Sequence, residues 1–192
     1  TASQVFGVPE DFVDHDMRRA AKAVNFGIVY GIGAFSLSKD INVSVAEADR
    51  YIKSYLANFP GVDKFMRETV DFAVKNGYVT TLFGRRRYIP ELKNSNKNLQ
   101  AFGKRAAMNA PVQGTAADII KIAMVKVYRR LKEELPEAKL ILQVHDELIV
   151  EAPEAQADKA AQILTEEMQG AVKLAVPLTA DAKEGRSWYE AH

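Results

Sequence analysis

Met17, Ala21, Val24 and Ile28 recur at helical spacing and form one apolar stripe at ~100° per residue. Asp14 or Asp16 can cap this helix at its start, and Gly31 and Gly33 stop it after Tyr30. Ser44 caps a second helix that ends near Phe59, where Pro60 and Gly61 turn the chain into a third reaching Gly77. The stretch YVTTLFGRRRYIP has β-formers on both sides of Gly84 and predicts a short ribbon carrying three arginines. Residues 96–135 return to a helical pattern, in which Pro111 predicts a break or kink.

The last third changes period. Lys139–Val144 and Glu147–Glu151 are apolar runs separated by His145 and Asp146, the pattern of a tight β-hairpin. An amphipathic helix is expected from Pro153, with Ala157, Ala161, Leu164 and Met168 inward, and a further strand over residues 176–182. Helices followed by hairpin, helix and strand make an α+β chain with an antiparallel sheet.

Composition narrows the class. A chain of 192 residues with 47% hydrophobic content can bury one substantial core or two small ones. It contains no cysteine, which removes disulfides and thiolate metal sites. The first thirty residues lack a signal-peptide core, and no run approaches the ~20 apolar residues of a membrane span, so a soluble cytoplasmic protein is expected. The net charge of +1 conceals an asymmetry. Residues 1–135 hold 21 Lys and Arg against 14 Asp and Glu, and the remainder holds 5 against 11. A basic portion followed by an acidic one points to a polyanion-binding face joined to an acidic site. The chain begins at Thr1 in a string that reads as mid-protein, as expected of an excised segment.

Candidate chemistry falls in three places. Arg18, Lys22, Phe26 and Tyr30 follow one another at i+4 on the side of the first helix opposite the apolar stripe. Two cations then two aromatics suit a nucleoside triphosphate along the helix, with phosphates toward the N-terminal, dipole-positive end. Spacing alone fits equally well with solvated cations and with rings packed under a neighbouring helix. The hairpin turn raises His145, Asp146 and Glu147, and an acidic pair on a rigid hairpin can hold a hard cation; turns also favour Asp for purely structural reasons. Arg105, Asn109 and Gln113 are again spaced by four and can share a helix face, although a helix surface often carries such residues.

The string RRAAKAVNFGIVYG resembles motif B, the O helix of family A DNA polymerases of the bacterial DNA polymerase I type. QVHDE resembles motif C of that family, and MNAPVQGTAADIIK is similar to another of its characteristic segments. The resemblance runs from the start of the chain to GRSWYEAH, which looks like the family's C-terminus. It implies part of a right-hand polymerase fold, with helical fingers over residues 1–93 and a palm portion with the motif C hairpin over 94–192. It further implies template-directed addition of deoxynucleotides to a primer 3′ end in DNA replication and repair. Arg18 and Lys22 would bind the incoming triphosphate, Lys22 also in a catalytic role; Phe26 would lie against its sugar and base, and Tyr30 would guard the template-base pocket. Asp146 would be the catalytic metal ligand, with Glu147 contributing beside it. Arg105, Asn109, Gln113 and His145 would contact primer-template DNA.

The implied cofactor is Mg²⁺ in a two-metal site. The family's other metal-binding string, motif A, is absent from the 192 residues and is expected upstream of Thr1, so the chain alone is expected to be inactive. The remainder of the polymerase is an implied partner, with DNA and deoxynucleoside triphosphates. A single-subunit RNA polymerase shares the Arg, Lys and Tyr-Gly framework, but Phe26 and Glu147 fit the DNA enzyme better. A non-catalytic nucleic-acid-binding relative is the other alternative. The arginines of GRRRYIP are expected to touch phosphates without individual assignment.

Overall fold

Asp14 starts the principal helix of the N-terminal portion by accepting a 2.7 Å hydrogen bond from the Met17 backbone N–H. The computed structural model describes residues 1–191, Val5 by its backbone alone. Those residues fall into two compact units, Thr1–Gln113 and a second from Gly114 onward. The first unit opens with α1 (Ala2–Phe6) and α2 (His15–Val29), followed by α3 (Ala34–Asp40), which the sequence pattern did not predict. Then come α4 (Val45–Asn58) and α5 (Pro60–Asn76).

Local chemistry explains these limits. Ser44 and Glu47 form a reciprocal capping box at the start of α4, and the Ser44 hydroxyl and N–H hold the Glu47 carboxyl below its ordinary range. Pro60 occupies the first turn of α5, where no N–H is needed, and Gly77 closes that helix at φ 80°. Val24 and Ile28 of α2, Leu37 of α3, and Ala48 and Tyr55 of α4 form one core. Burial there raises the pKa of the Tyr55 hydroxyl.

The expected ribbon is β1 (Tyr78–Thr80) paired antiparallel with β2 (Arg86–Tyr88). Its turn is tied by Thr81, whose hydroxyl oxygen accepts from the N–H groups of Phe83 and Arg85 at 3.3 and 3.2 Å. Val79 and Ile89 anchor the ribbon in a second core with Ala73, Ala107 and Ala110. The helix α6 (Lys97–Glu134) continues through Pro111, so of the expected break or kink the break does not occur. Proline removes one N–H, the one that would reach the Ala107 carbonyl, while buried Ala107 and Ala110 secure the helix just before it.

In the second unit, Ile120, Ala123, Val127 and Leu131 of α6 pack with Leu148, Ala160 and Ile163. The strands β3 (Lys139–Val144) and β4 (Glu147–Glu151) pair antiparallel, with a register irregularity between Leu140 and Leu142. A 3₁₀ turn over Glu154–Gln156 precedes α7 (Ala157–Gln169). That helix turns Ala160 and Ile163 fully inward, with Leu164 and Met168 partly buried, so its buried face is rotated from the one expected through Ala157 and Ala161. The last described element is α8 (Trp188–Ala191), and His192 of the C-terminal string lies outside the described residues.

Residues 176–182 form no strand, correcting that expectation. Among the described residues β3 and β4 pair only with each other, and the Ala180 carbonyl accepts from the Gln169 side chain at 3.0 Å. Alternating apolar residues make a strand only where a ladder partner is present. Arg130 binds Glu134, Glu166 and Glu167 at 2.6, 2.5 and 3.1 Å, joining α6 to α7. No described helix is long and apolar enough to cross a membrane.

Candidate functional site

Because Ala21, Val24 and Ile28 hold one side of α2 in the core, its opposite side must face outward. Arg18 and Lys22 are exposed there, and the Phe26 and Tyr30 rings are 53% and 41% exposed. These rings lie 6.5 Å apart and 16° from parallel, and Lys22 Nζ stands 6.0 Å from the Phe26 centroid. Neither ring is buried under a neighbouring helix. The positive end of α2 is less open to an anion than expected. Asp14 already accepts from Met17, and Asp16 in the first turn pairs with Arg19 at 3.1 Å. Any grip on phosphate by this face therefore falls to the Arg18 and Lys22 side chains.

The C-terminal end of α2 is fixed by its backbone. Gly31, at φ 69°, donates to the Ile28 carbonyl at 2.8 Å, and Ile32 donates to the Gly27 carbonyl at 2.7 Å, a Schellman closure. A Cβ on Gly31 would stand 2.5 Å from Met108 Cε and 2.9 Å from Arg105 Cγ. The first unit thus brings the residue next to Tyr30 against the start of the Arg105, Asn109 and Gln113 row. Arg105 and Gln113 are exposed, while Asn109 is half-buried and its Oδ1 has no hydrogen-bond partner.

In the second unit the hairpin tip is locally strained. His145 adopts φ 52°, a left-handed conformation that costs an L-residue about 1 kcal/mol. The Gln143 side chain donates to the His145 carbonyl at 3.0 Å, and buried Leu148 fixes β4 immediately behind the tip. His145 and Asp146 are exposed and Glu147 is half-buried. Carboxylate oxygens are the donors a hard divalent cation requires, so Asp146 fits that role in kind. No group of three His, Cys, Asp or Glu residues placed to hold a metal ion occurs among the described residues.

Aromatic residues beside the arginines were missed in reading the sequence. Arg86, Phe72 and Tyr88 each meet Tyr78 at the ribbon. The signal lay in the two-residue spacing of Arg86 and Tyr88, which puts both on one face of a strand.

The fold is that of a polymerase domain. The chain is similar, with a TM-score of 0.93 and 43% identity, to the POL domain of Pol1 from M. smegmatis, solved in complex with DNA primer-template and dNTP. That likeness covers 99% of this chain and 34% of the other. The chain belongs to DNA polymerase family A, whose family model matches residues 1–190. It is 51% identical over 190 residues to DNA polymerase I of Caldicellulosiruptor bescii, which covers 99% of this chain and 22% of that protein. It is 50% identical over 191 residues to DNA polymerase I of Bacillus subtilis, covering all of this chain and 22% of that protein. The chain therefore spans less than a quarter of the length of these relatives.

Proposed function

We propose that this chain is the nucleotide-gripping and metal-holding part of a DNA-directed DNA polymerase that adds deoxynucleotides to a primer 3′ end in replication and repair. Residues 1–93 serve as fingers and 94–192 as the C-terminal palm portion. The exposed row on α2 carries this reading: two cations and two near-parallel rings present one face, with the opposite face locked in the core. Arg18 and Lys22 hold the triphosphate, with Lys22 placed to act during transfer. Phe26 lies against the sugar and base, and Tyr30 closes the template-base pocket. Arg105, Asn109, Gln113 and His145 meet the primer-template, where minor-groove donors sense pair shape without reading sequence.

Asp146 would hold Mg²⁺, with Glu147 contributing beside it and other carboxylates supplied by the rest of a polymerase chain. When bound, the metal stabilises the charge that develops on the transferring phosphate. The hairpin backbone holds Asp146 at its tip, where an exposed carboxylate is open to a cation. A cytoplasmic location belongs to the same reading.

In the intact polymerase, Arg18→Ala and Lys22→Ala should each weaken triphosphate use by about ten- to a hundredfold. This corresponds to loss of one charge-assisted contact, roughly 1.5 to 3 kcal/mol. Single-turnover incorporation against dNTP concentration measures it. Unchanged nucleotide kinetics in both variants would remove the α2 row from the site.

A further inference from the structure

Between Asp71 and Glu91 the chain carries Lys75, Arg85, Arg86 and Arg87 and no carboxylate. The β1–β2 register sorts this segment into faces. Val79 is 2% exposed and points to the core, so Tyr78 and its cross-strand partner Tyr88 lie on the opposite, outer face, together with Arg86. There the Tyr78 and Tyr88 rings are 5.7 Å apart, and Phe72 of α5 meets Tyr78 edge-on at 5.6 Å. The Arg86 guanidinium carbon stands 4.7 Å from the Tyr78 centroid. Tyr88 is 67% exposed and Phe72 43% exposed.

Packing explains only part of this cluster. Phe72 and Tyr78 brace each other, but Tyr88 leaves most of its ring in solvent on the strand face that also carries Arg86. The charged residues of the segment between Asp71 and Glu91 are all cationic, which suits a phosphate chain and opposes a basic partner. An aromatic face beside cations fits a nucleotide whose base is unstacked. Bases within a duplex keep their faces on one another and offer only edges and phosphates.

We infer that Phe72, Tyr78, Arg86 and Tyr88 form a platform for single-stranded DNA, with Tyr88 stacking on an unpaired base and the arginines meeting the phosphates beside it. The inference deepens the polymerase reading and rests on it, since an unpaired template strand is the ligand that activity supplies. Its occupant is unpaired strand, distinct from the triphosphate assigned to α2 and from the duplex assigned to α6.

The test is fluorescence anisotropy of the purified chain with a labelled oligothymidylate of about twelve nucleotides. A blunt hairpin duplex with the same number of phosphates is the comparison. Tyr88→Ala should weaken strand binding roughly tenfold, leave duplex binding unchanged and keep the salt dependence of the parent. Tyr88→Phe should bind like the parent, and Tyr88→Leu, which keeps apolar cover without a ring face, should bind like Tyr88→Ala. Arg86→Gln should weaken binding and lower the log–log salt slope by about 0.7. The platform is overturned if the parent fails to bind the strand, if Tyr88→Ala loses equally on strand and duplex, or if Tyr88→Leu binds as well as Tyr88→Phe. Because this assay contains no triphosphate and the α2 test reads only triphosphate use, either reading can fail while the other stands.

Discussion

Replacing Gly31 by alanine tests how firmly the end of α2 is tied to α6, and Gly77 supplies an internal control. Both glycines follow a helix in the left-handed conformation, at φ 69° and 80°. At Gly77 nothing lies within 4 Å of a new Cβ, so Gly77→Ala should cost only the backbone term, about 1 kcal/mol. At Gly31 the Cβ would meet Met108 Cε at 2.5 Å and Arg105 Cγ at 2.9 Å. The methionine tip can swing away, but Arg105 Cγ lies near its own backbone and yields less. Overpacking should therefore add about 1 to 2 kcal/mol, for a total of roughly 2 to 3 kcal/mol. At about 4 °C per kcal/mol for a unit of this size, Gly31→Ala should lower Tm by about 8 to 12 °C and Gly77→Ala by about 4 °C. Thermal unfolding of the chain, followed by circular dichroism, measures both. In the intact polymerase, Gly31→Ala should also slow extension from the primer end, because it displaces Arg105, whereas Gly77→Ala should not. Equal Tm losses for the two variants would show that the Gly31 contact with α6 carries no energy and would refute the reasoning.

In the intact polymerase, Asp146→Asn should abolish most nucleotidyl transfer while DNA affinity and Tm persist; near-parental single-turnover incorporation would overturn the metal assignment. Glu147→Gln should lose less activity under the same assay. Alanine at Arg105, Asn109 or Gln113 should impair extension from a mismatched primer terminus, and a fall in Tm with unchanged extension would assign these residues to packing instead. Hydrogen bonds hold two carboxyls below their ordinary value of 4.5, from Arg130 then Lys159 at Glu134, and from Gln162 then Arg130 at Glu166. Lowered carboxyl pKa values stabilise the fold above 4.5, and that contribution disappears as the pH falls through the folded-state values. The Tm deficit of Arg130→Met relative to the parent should accordingly be present at neutral pH and shrink below pH 4.5; a deficit independent of pH would refute it.

The parts of this chain that were legible in the sequence are those governed by neighbours a few residues away. Asp14, one of two candidate caps, and Ser44 announce their helices because a cap acts within one turn. The α2 row could be placed on one face because helix geometry is local, and Asp146 could be placed at a tip because a two-residue turn exposes what it carries. What the row and the tip do came from resemblance to a family, since spacing alone left packing and binding equally open. The failures share a cause in distance along the chain. Leu37 gives α3 its reason to exist only when α2 and α4 surround it, and seven residues show too little periodicity to reveal that in advance. Residues 176–182 alternate as a strand would but have no ladder partner among the described residues, while Pro111 removes one N–H without ending its helix. The cluster of Phe72, Tyr78, Arg86 and Tyr88 needs both strand register and the docking of α5 against β1 before its members meet. Three consecutive arginines therefore read from sequence as diffuse charge, whereas the folded ribbon sets one of them against a tyrosine ring and leaves another ring open beside it. Charge that attracts any polyanion becomes selective for an unpaired strand only through that long-range arrangement, which is why the strand-against-duplex comparison bears on the fold as much as on binding.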